Sequence, residues 1–291
     1  MISGRTALIA HLGYPTDTFT APMIYNPWFE RRGIDAVVVP MGAKAEDYPE
    51  FLRLLFRLSN IRGALVTMPH KVTTAGLLDE ISPAVRIAGA CNAILRRADG
   101  SLYGEMFDGA GFTRGAKRRG FDFAGSDCLV VGAGGVGSAI AAAIAAEGPR
   151  LLALCDLRQD AAESLAVRLR RHYPAFDIAI RSHDPAGYDL VVNATPLGMK
   201  PGDPLPFDPE RIDRHAFVGE VVLSAEPTPL LRAAAARGCR VQLGTDMLFE
   251  QIPAYLEFFG YGAATPEELR AVAAISTGAR RFGSGARLSP P

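Results

Sequence analysis

Gly132-Ala133-Gly134-Gly135-Val136-Gly137 is the stretch whose reading decides the fold of this chain. The apolar run Cys128–Val131 leads into it, and the alanine-rich run Ser138–Glu147 leaves it and stops at Gly148-Pro149. The order is strand, glycine turn, helix. Gly132 permits the tight turn, Gly134 lets backbone approach a pyrophosphate, and Gly137 permits close packing of helix on strand. The helix start adds free N–H groups and the positive end of a dipole. A G-x-G-x-x-G alone is weak evidence, since glycines there also fit a plain packing turn with Asp156 an exposed strand-end residue. The next strand, however, ends in Cys155-Asp156, about 20 residues beyond the glycines, where a carboxylate accepts hydrogen bonds from both ribose hydroxyls of a nicotinamide dinucleotide. With that second element, Asp127 to Asp156 reads as a dinucleotide site. The same carboxylate repels a 2′-phosphate, so Asp156 favours NAD over NADP, while Arg158 close by leaves a route to both. FAD usually takes its motif near the start of a chain, and here the motif lies in the middle.

Working outward, the run Cys128–Val131 opens a βαβ series, with further strands expected near Leu151–Cys155, Asp177–Ile180, Asp189–Asn193, Phe217–Val222 and Cys239–Leu243. This is a doubly wound pattern. Met247–Gly260 reads as a helix with a broad apolar face, followed by another from Pro266, and a helix after the last strand often crosses back to an earlier domain. Upstream, strand-like and helix-like stretches also alternate: Arg5–Leu12, Ala21–Arg32, Asp35–Pro40, Glu46–Leu58 and Gly63–Thr67. That alternation predicts a parallel sheet. Cys91–Arg97 and Ser101–Phe107 flank Ala98-Asp99-Gly100, which reads as a tight hairpin turn. The expected class is α/β, with an N-terminal α/β substrate domain over 1–107, a doubly wound Rossmann NAD(P)-binding domain over 108–245, C-terminal helices over 246–275 that return to the first domain, and a flexible tail over 276–291.

Composition bounds the function. The chain has 291 residues, is 48% hydrophobic and carries no net charge, which suits two medium domains. Balanced charge without a Lys/Arg block offers no footprint for nucleic acid or an anionic membrane, so a small-molecule partner is favoured. Met1 to Leu12 has the look of neither a secretory signal nor a transit peptide, and no apolar run approaches a membrane span, so the expected location is cytoplasmic. Cys91, Cys128, Cys155 and Cys239 lack C-x-x-C spacing and read as buried reduced thiols, with no metal site expected. Oligomeric state is not legible, because helix faces that pack within and between subunits share one pattern.

Six segments, in order from about Gly13 to Gly260, resemble the shikimate dehydrogenase family. Val66-Thr67-Met68-Pro69-His70-Lys71 is similar to its V-T-x-P-x-K, Gly89-Ala90-Cys91-Asn92 to its G-A-x-N, and Asp108-Gly109-Ala110-Gly111 to its D-G-x-G. Asn193-Ala194-Thr195-Pro196-Leu197-Gly198-Met199 resembles N-A-T-P-x-G-M, and Gly244 with Met247-Leu248 and Gln251 resembles G-x-x-M-L-x-x-Q; the glycine loop is the sixth. The resemblance implies catalysis in a cleft between the two domains by Lys71 and Asp108. It implies substrate contacts from Thr67, Asn92 and Gln251, and a cofactor wall that adds Thr195, Pro196, Leu197, Met199, Val222, Gly244 and Met247 to the glycine loop.

Oxidising a secondary alcohol requires loss of its hydroxyl proton as hydride leaves the carbon, and something must hold that proton. A free lysine has a pKa of about 10.4; burial would lower it and a close Asp108 would raise it, so Lys71 is open as base, acid or orienting group. Two plainer readings stand beside the catalytic one: Lys71 at a helix start, and Asp108 as a helix N-cap. His70 reads as a packing or supporting residue.

The departures from the family pattern run one way. Where the family grips a substrate carboxylate with S-x-S before a proline, this chain has Phe19-Thr20-Ala21 before Pro22. An asparagine before V-T is Leu65, the N-T before D-G-x-G is Met106-Phe107, and a tyrosine before Pro229 is Leu223. Each change is from polar to apolar, so Phe19, Ala21 and Leu65 are expected to line a less polar pocket, while Thr18, Thr20, Tyr25 and a shift of the loop around Asp17 could restore some donors. The expected activity is reversible hydride transfer between NAD(P) and a less polar or differently substituted cyclic alcohol or ketone, with shikimate and quinate possible but poor substrates. The alternatives are a non-enzymatic NAD-binding sensor and, on architecture alone, a folate-type dehydrogenase.

Overall fold

The computed structural model describes residues 2–224 and 226–274; the expected tail over 276–291 lies outside them. The N-terminal half comprises β1 (Ala7–Gly13), α1 (Pro22–Arg32), β2 (Ala36–Gly42), α2 (Tyr48–Leu55), β3 (Ile61–Val66), α3 (Lys71–Ala75), β4 (Glu80–Ile81), α4 (Pro83–Ala88), β5 (Ala93–Arg96) and β6 (Leu102–Glu105). Its sheet has the order β2-β1-β3-β5-β6-β4. β1 runs parallel to both β2 and β3, and β5 is antiparallel to β3 and β6. The expected hairpin turn forms because Asp99 Oδ1 accepts from the Ser101 N–H and hydroxyl at 2.9 and 2.7 Å while Gly100 takes φ 89°.

Periodicity does not reveal α3, β4 and α4, which are too short to show it. α4 instead is set by its start: Pro83 occupies the first turn, and the Ser82 hydroxyl accepts from the Val85 N–H at 3.1 Å. These elements turn the chain from Lys71 to the G-A-x-N segment.

The second half contains α5 (Asp108–Arg118), β7 (Asp127–Val131), α6 (Gly135–Ala146), β8 (Leu151–Cys155), α7 (Gln159–His172), β9 (Asp177–Ile180), β10 (Leu190–Asn193), β11 (Phe217–Glu220), α8 (Pro229–Ala236) and β12 (Arg240–Gln242). All six strands are parallel, in the order β12-β11-β10-β7-β8-β9. The chain reverses direction of winding between β7 and β10, where such sheets bind ligands. The fold is the expected α/β class, a substrate-domain-like sheet followed by a Rossmann-like one.

α9 (Gly244–Phe258) and α10 (Pro266–Val272) follow. α9 starts three residues before the expected Met247, because a glycine there lets the helix begin against β11's exit: a Cβ on Gly244 would lie 2.3 Å from the Val222 carbonyl oxygen. The helix then packs Phe249, Ile252, Tyr255, Leu256 and Phe259 against Ile9, Tyr25, Trp28, Leu65 and Ala93 of the first sheet and α1. α5 is clasped between α6 and α9, since Cβ atoms on Gly109 and Gly111 would clash with the Ala139 and Met247 carbonyl oxygens. Arg168 on α7 ties the halves further, donating to the Ile87 and Ala88 carbonyls at 2.8 and 3.3 Å.

Cys91, Cys128 and Cys239 are buried and free, and burial pushes the Cys91 and Cys128 thiols up to about 12. Cys155 departs from the expected burial: it is only partly covered, because it ends β8 where the chain turns to Asp156. Among the described residues, no helix is long and apolar enough to cross a membrane, and no cluster of three or more His, Cys, Asp or Glu is placed to hold a metal.

Candidate active site

Lys71 is the first residue of α3 and Asp108 the first of α5. Their side chains meet, Lys71 Nζ to Asp108 Oδ2 at 2.5 Å, with only 13% and 4% of the two side chains exposed. Asp108 is not the helix cap: Phe107 holds that position and Asp108 makes no capping bond, its carboxylate being turned to the lysine. Lys71 likewise follows the cap residue, His70. His70 itself is a packing residue, stacked on Tyr48 at 3.8 Å with Nε2 on the Ala43 carbonyl at 2.8 Å.

Behind the pair stand the expected substrate contacts. Asn92 is buried; its Oδ1 accepts from the Phe107 N–H at 3.0 Å, leaving Nδ2 without a partner. The Tyr255 hydroxyl donates to the Asn92 carbonyl at 3.3 Å, and one helical turn earlier on α9 the Gln251 side chain abuts Gly111 with Oε1 unpartnered. Thr67 closes the mouth of β1, since a Cβ on Gly13 would lie 2.5 Å from its Cγ2 and 2.7 Å from the Phe19 ring. Leu65 and Ala21 are buried in the apolar cluster with Ile9, Tyr25 and Phe249, Phe107 meets Tyr255 edge to face at 4.7 Å, and Leu223 is exposed.

The glycine loop expected to cradle a dinucleotide has its own geometry. Gly132 has φ 108°, and a Cβ there would lie 2.8 Å from the Ala194 carbonyl oxygen and 3.1 Å from the Thr195 nitrogen. A Cβ on Gly137 would sit 1.9 Å from the Gly132 carbonyl oxygen, so only glycine allows α6 to leave β7 so closely. α6 begins at Gly135, earlier than the expected Ser138, because the glycines themselves form its first turn. Gly134 faces open space, the room a pyrophosphate needs above N–H groups that a helix start leaves unbonded. Asp156 accepts from the Ala133 N–H at 2.6 Å and the Arg158 N–H at 2.8 Å, one on each oxygen, which leaves acceptor capacity on both.

Asn193 shapes the third side. Fully buried, it accepts from the Thr195 N–H and hydroxyl at 3.0 and 2.6 Å and donates to the Leu197 carbonyl at 3.0 Å, which folds Thr195-Pro196-Leu197 back over the sheet end and leaves Met199 exposed. Gly198 brings this loop to Val222 and Thr228, while Val222 abuts Gly244. The two sides of the cleft touch at Gly135, where a Cβ would lie 3.4 Å from Ala90 Cβ and 3.5 Å from Lys71 Cβ.

Two polar residues escaped the sequence reading. His11 on β1 is buried, stacked on Phe19 at 4.1 Å, and its Nδ1 has no partner; burial, and then the nearby Lys71 charge, lower its pKa to about 4. Glu220, ending β11, is buried with its carboxylate on the Thr228 hydroxyl at 2.8 Å, and desolvation raises its pKa to about 7. Neither lies in a motif, and the only sequence signal is a titratable side chain in an apolar strand.

A doubly wound dinucleotide fold whose glycine loop lies against a buried lysine–carboxylate pair defines an NAD(P)-dependent dehydrogenase acting on CH–OH groups. The chain belongs to the shikimate dehydrogenase family. Residues 12–94 match the family model described as the shikimate dehydrogenase substrate binding domain. The protein named shikimate dehydrogenase (NADP(+)) from Rubrobacter xylanophilus is 35% identical over 254 residues, covering 86% of this chain and 89% of that one. Among solved structures, quinate dehydrogenase from Corynebacterium glutamicum in complex with NAD has TM-score 0.82 at 29% identity, covering 92% of this chain and 98% of that one. Shikimate 5-dehydrogenase from Thermus thermophilus, in complex with NADP(H) and shikimate, has TM-score 0.82 at 26% identity over the same shares.

Proposed function

We propose that this chain catalyses the reversible oxidation of a cyclic secondary alcohol to its ketone, using Lys71 and Asp108. The contact of Lys71 with the glycine loop at Gly135 carries the reading, because it sets a proton-handling group beside the cradle that fits a dinucleotide. When bound there, the nicotinamide accepts or returns hydride. Lys71 Nζ holds the proton of the reacting hydroxyl, or returns it to the ketone oxygen, and stabilises alkoxide charge as the C–O bond changes order. Asp108 orients the ammonium and offers its second oxygen to a neighbouring hydroxyl. Asn92 Nδ2 and Gln251 Oε1, both unpartnered, are a donor and an acceptor for the substrate.

The expected apolar lining by Phe19, Ala21 and Leu65 is supported by the burial of Ala21 and Leu65 in an apolar cluster and by the Phe19 ring stacked on His11. It favours a less polar or differently substituted ring, with shikimate and quinate as poor substrates. Asp156 supports NAD over NADP; relatives named as NADP(+) enzymes weigh against that preference, and the NAD complex of quinate dehydrogenase weighs for it. The intact Lys71–Asp108 pair and the enzyme relatives speak against a non-enzymatic sensor. Steady-state NADH and NADPH formation over a panel of cyclic alcohols, shikimate and quinate tests the reading. Equal turnover by the wild type and Lys71→Ala would refute it.

A further inference from the structure

His11 is a buried group within reach of the Lys71 charge that the Lys71–Asp108 chemistry does not use. It sits on β1 opposite Leu65 of β3 in the parallel register, so both side chains leave the same face of the sheet at its C-terminal end. Its ring is stacked on Phe19, which with Thr67 crowds Gly13 at the end of the strand, and one ring nitrogen is buried with no protein partner. A buried polar atom left unpaired costs stability, and native proteins keep such atoms where a ligand or water completes them.

The surroundings state what kind of ligand. Leu65 and Ala21 are apolar and Phe19 presents a ring face, and Lys71, the cation whose charge reaches His11, is engaged by Asp108, so this corner suits a carboxylate poorly. A pKa of about 4 keeps the imidazole neutral near pH 7, with one donor and one acceptor nitrogen. The other unpaired buried groups of the site, Asn92 Nδ2 and Gln251 Oε1, are neutral as well. Three neutral groups against aromatic and aliphatic carbon match a ring bearing several hydroxyls and no charge.

Resting on the dehydrogenase reading of the cleft, we infer that His11 is a specificity-determining residue that hydrogen-bonds a non-reacting hydroxyl of an uncharged cyclic polyol, or of the matching hydroxyketone, while Phe19 stacks against its carbon face.

The test compares wild type with His11→Phe, which keeps the stacked ring and loses both nitrogens, and His11→Gln, which restores a donor and an acceptor. The probes are myo-inositol, cis-1,2-cyclohexanediol, cyclohexanol and shikimate, each followed by steady-state NADH or NADPH formation. Wild type is expected to prefer the uncharged polyols to shikimate in kcat/KM. His11→Phe should raise KM for the polyol or diol by roughly tenfold or more with kcat within a few-fold, and leave KM for cyclohexanol unchanged; His11→Gln should recover part of the loss. Thermal unfolding and NADH fluorescence titration show that the variants fold and bind cofactor; if His11→Phe does not fold, His11→Leu replaces it. An unchanged KM in the folded variant, a wild-type preference for shikimate, or no turnover of any uncharged alcohol overturns the inference. Loss of activity in Lys71→Ala with an unchanged KM in His11→Phe refutes His11 alone, whereas full activity in Lys71→Ala refutes the dehydrogenase reading itself.

Discussion

Lys71 and Asp108, 37 residues apart in the chain, meet at 2.5 Å because each opens its own helix at the same end of the first sheet. The start of the longer helix, α5, is a favourable place for the Asp108 carboxylate, since the dipole is positive there. Lys71 reaches the same point from α3 with its stem against the glycine loop. Substitution should therefore separate chemistry from cofactor binding. Lys71→Met and Asp108→Asn are expected to lower kcat by about 10²- to 10⁴-fold. NADH affinity by fluorescence titration should stay within a few-fold of wild type; a loss of cofactor affinity equal to the loss of rate would show a binding role only.

The two glycines of the loop should fail in different ways. Gly137→Ala puts a methyl 1.9 Å from the Gly132 carbonyl, so the helix must move, with an expected cost of about 2–4 kcal/mol in urea unfolding. Gly134→Ala meets no protein atom within 4 Å, and its stability should change little while dinucleotide affinity falls. Equal destabilisation of both variants would contradict the cradle geometry.

Asp156 anchors the loop through Ala133 and Arg158 and is the proposed reader of the ribose. Asp156→Asn keeps an acceptor for the backbone and removes the charge. Its NADPH-to-NADH affinity ratio should rise by about tenfold or more, because repulsion of the 2′-phosphate disappears. An unchanged ratio would mean that Asp156 serves the loop and not the choice of cofactor.

Glu220 gives stability a pH dependence of defined sign. Below 4.5 the carboxyl is protonated folded or unfolded; from there to about 7 the unfolded chain releases the proton while the buried carboxyl keeps it. Stability conferred at low pH is thus lost as pH rises through that window, by about 3 kcal/mol at most. Glu220→Gln keeps the acceptor for Thr228 and should be more stable than wild type at pH 8, with the difference vanishing toward pH 4.5. Parallel urea-unfolding curves for the two proteins across that range would rule the effect out.

Much of the Rossmann-like half was legible in the linear order of residues. β8 and β9 begin and end where their apolar runs do, and the glycine loop lies between strand and helix as its spacing requires. Short-range physics decides those features: alternation, turn residues and a helix start need only neighbours in sequence. The elements between Lys71 and Ala88 were not legible, because a five-residue helix held by packing and a six-residue helix set by the Ser82 cap are too short to show a period. The same limit applied to Asp108, whose sequence fits both a cap and a partner of Lys71 until the side-chain direction is known.

What the sequence by itself determined was the glycine loop between strand and helix and the α/β alternation of both halves, which depend on local pattern, while Lys71 and Asp108 became candidates through the family resemblance of their segments. Only the tertiary structure decided that Asp108 turns to Lys71, that Lys71 lies against Gly135, and that an unremarked strand histidine is buried on Phe19 with an unpaired nitrogen. Those relationships join segments far apart in the chain. They arise from close packing of two sheets and α5, and close packing has no signature in the order of residues along one strand.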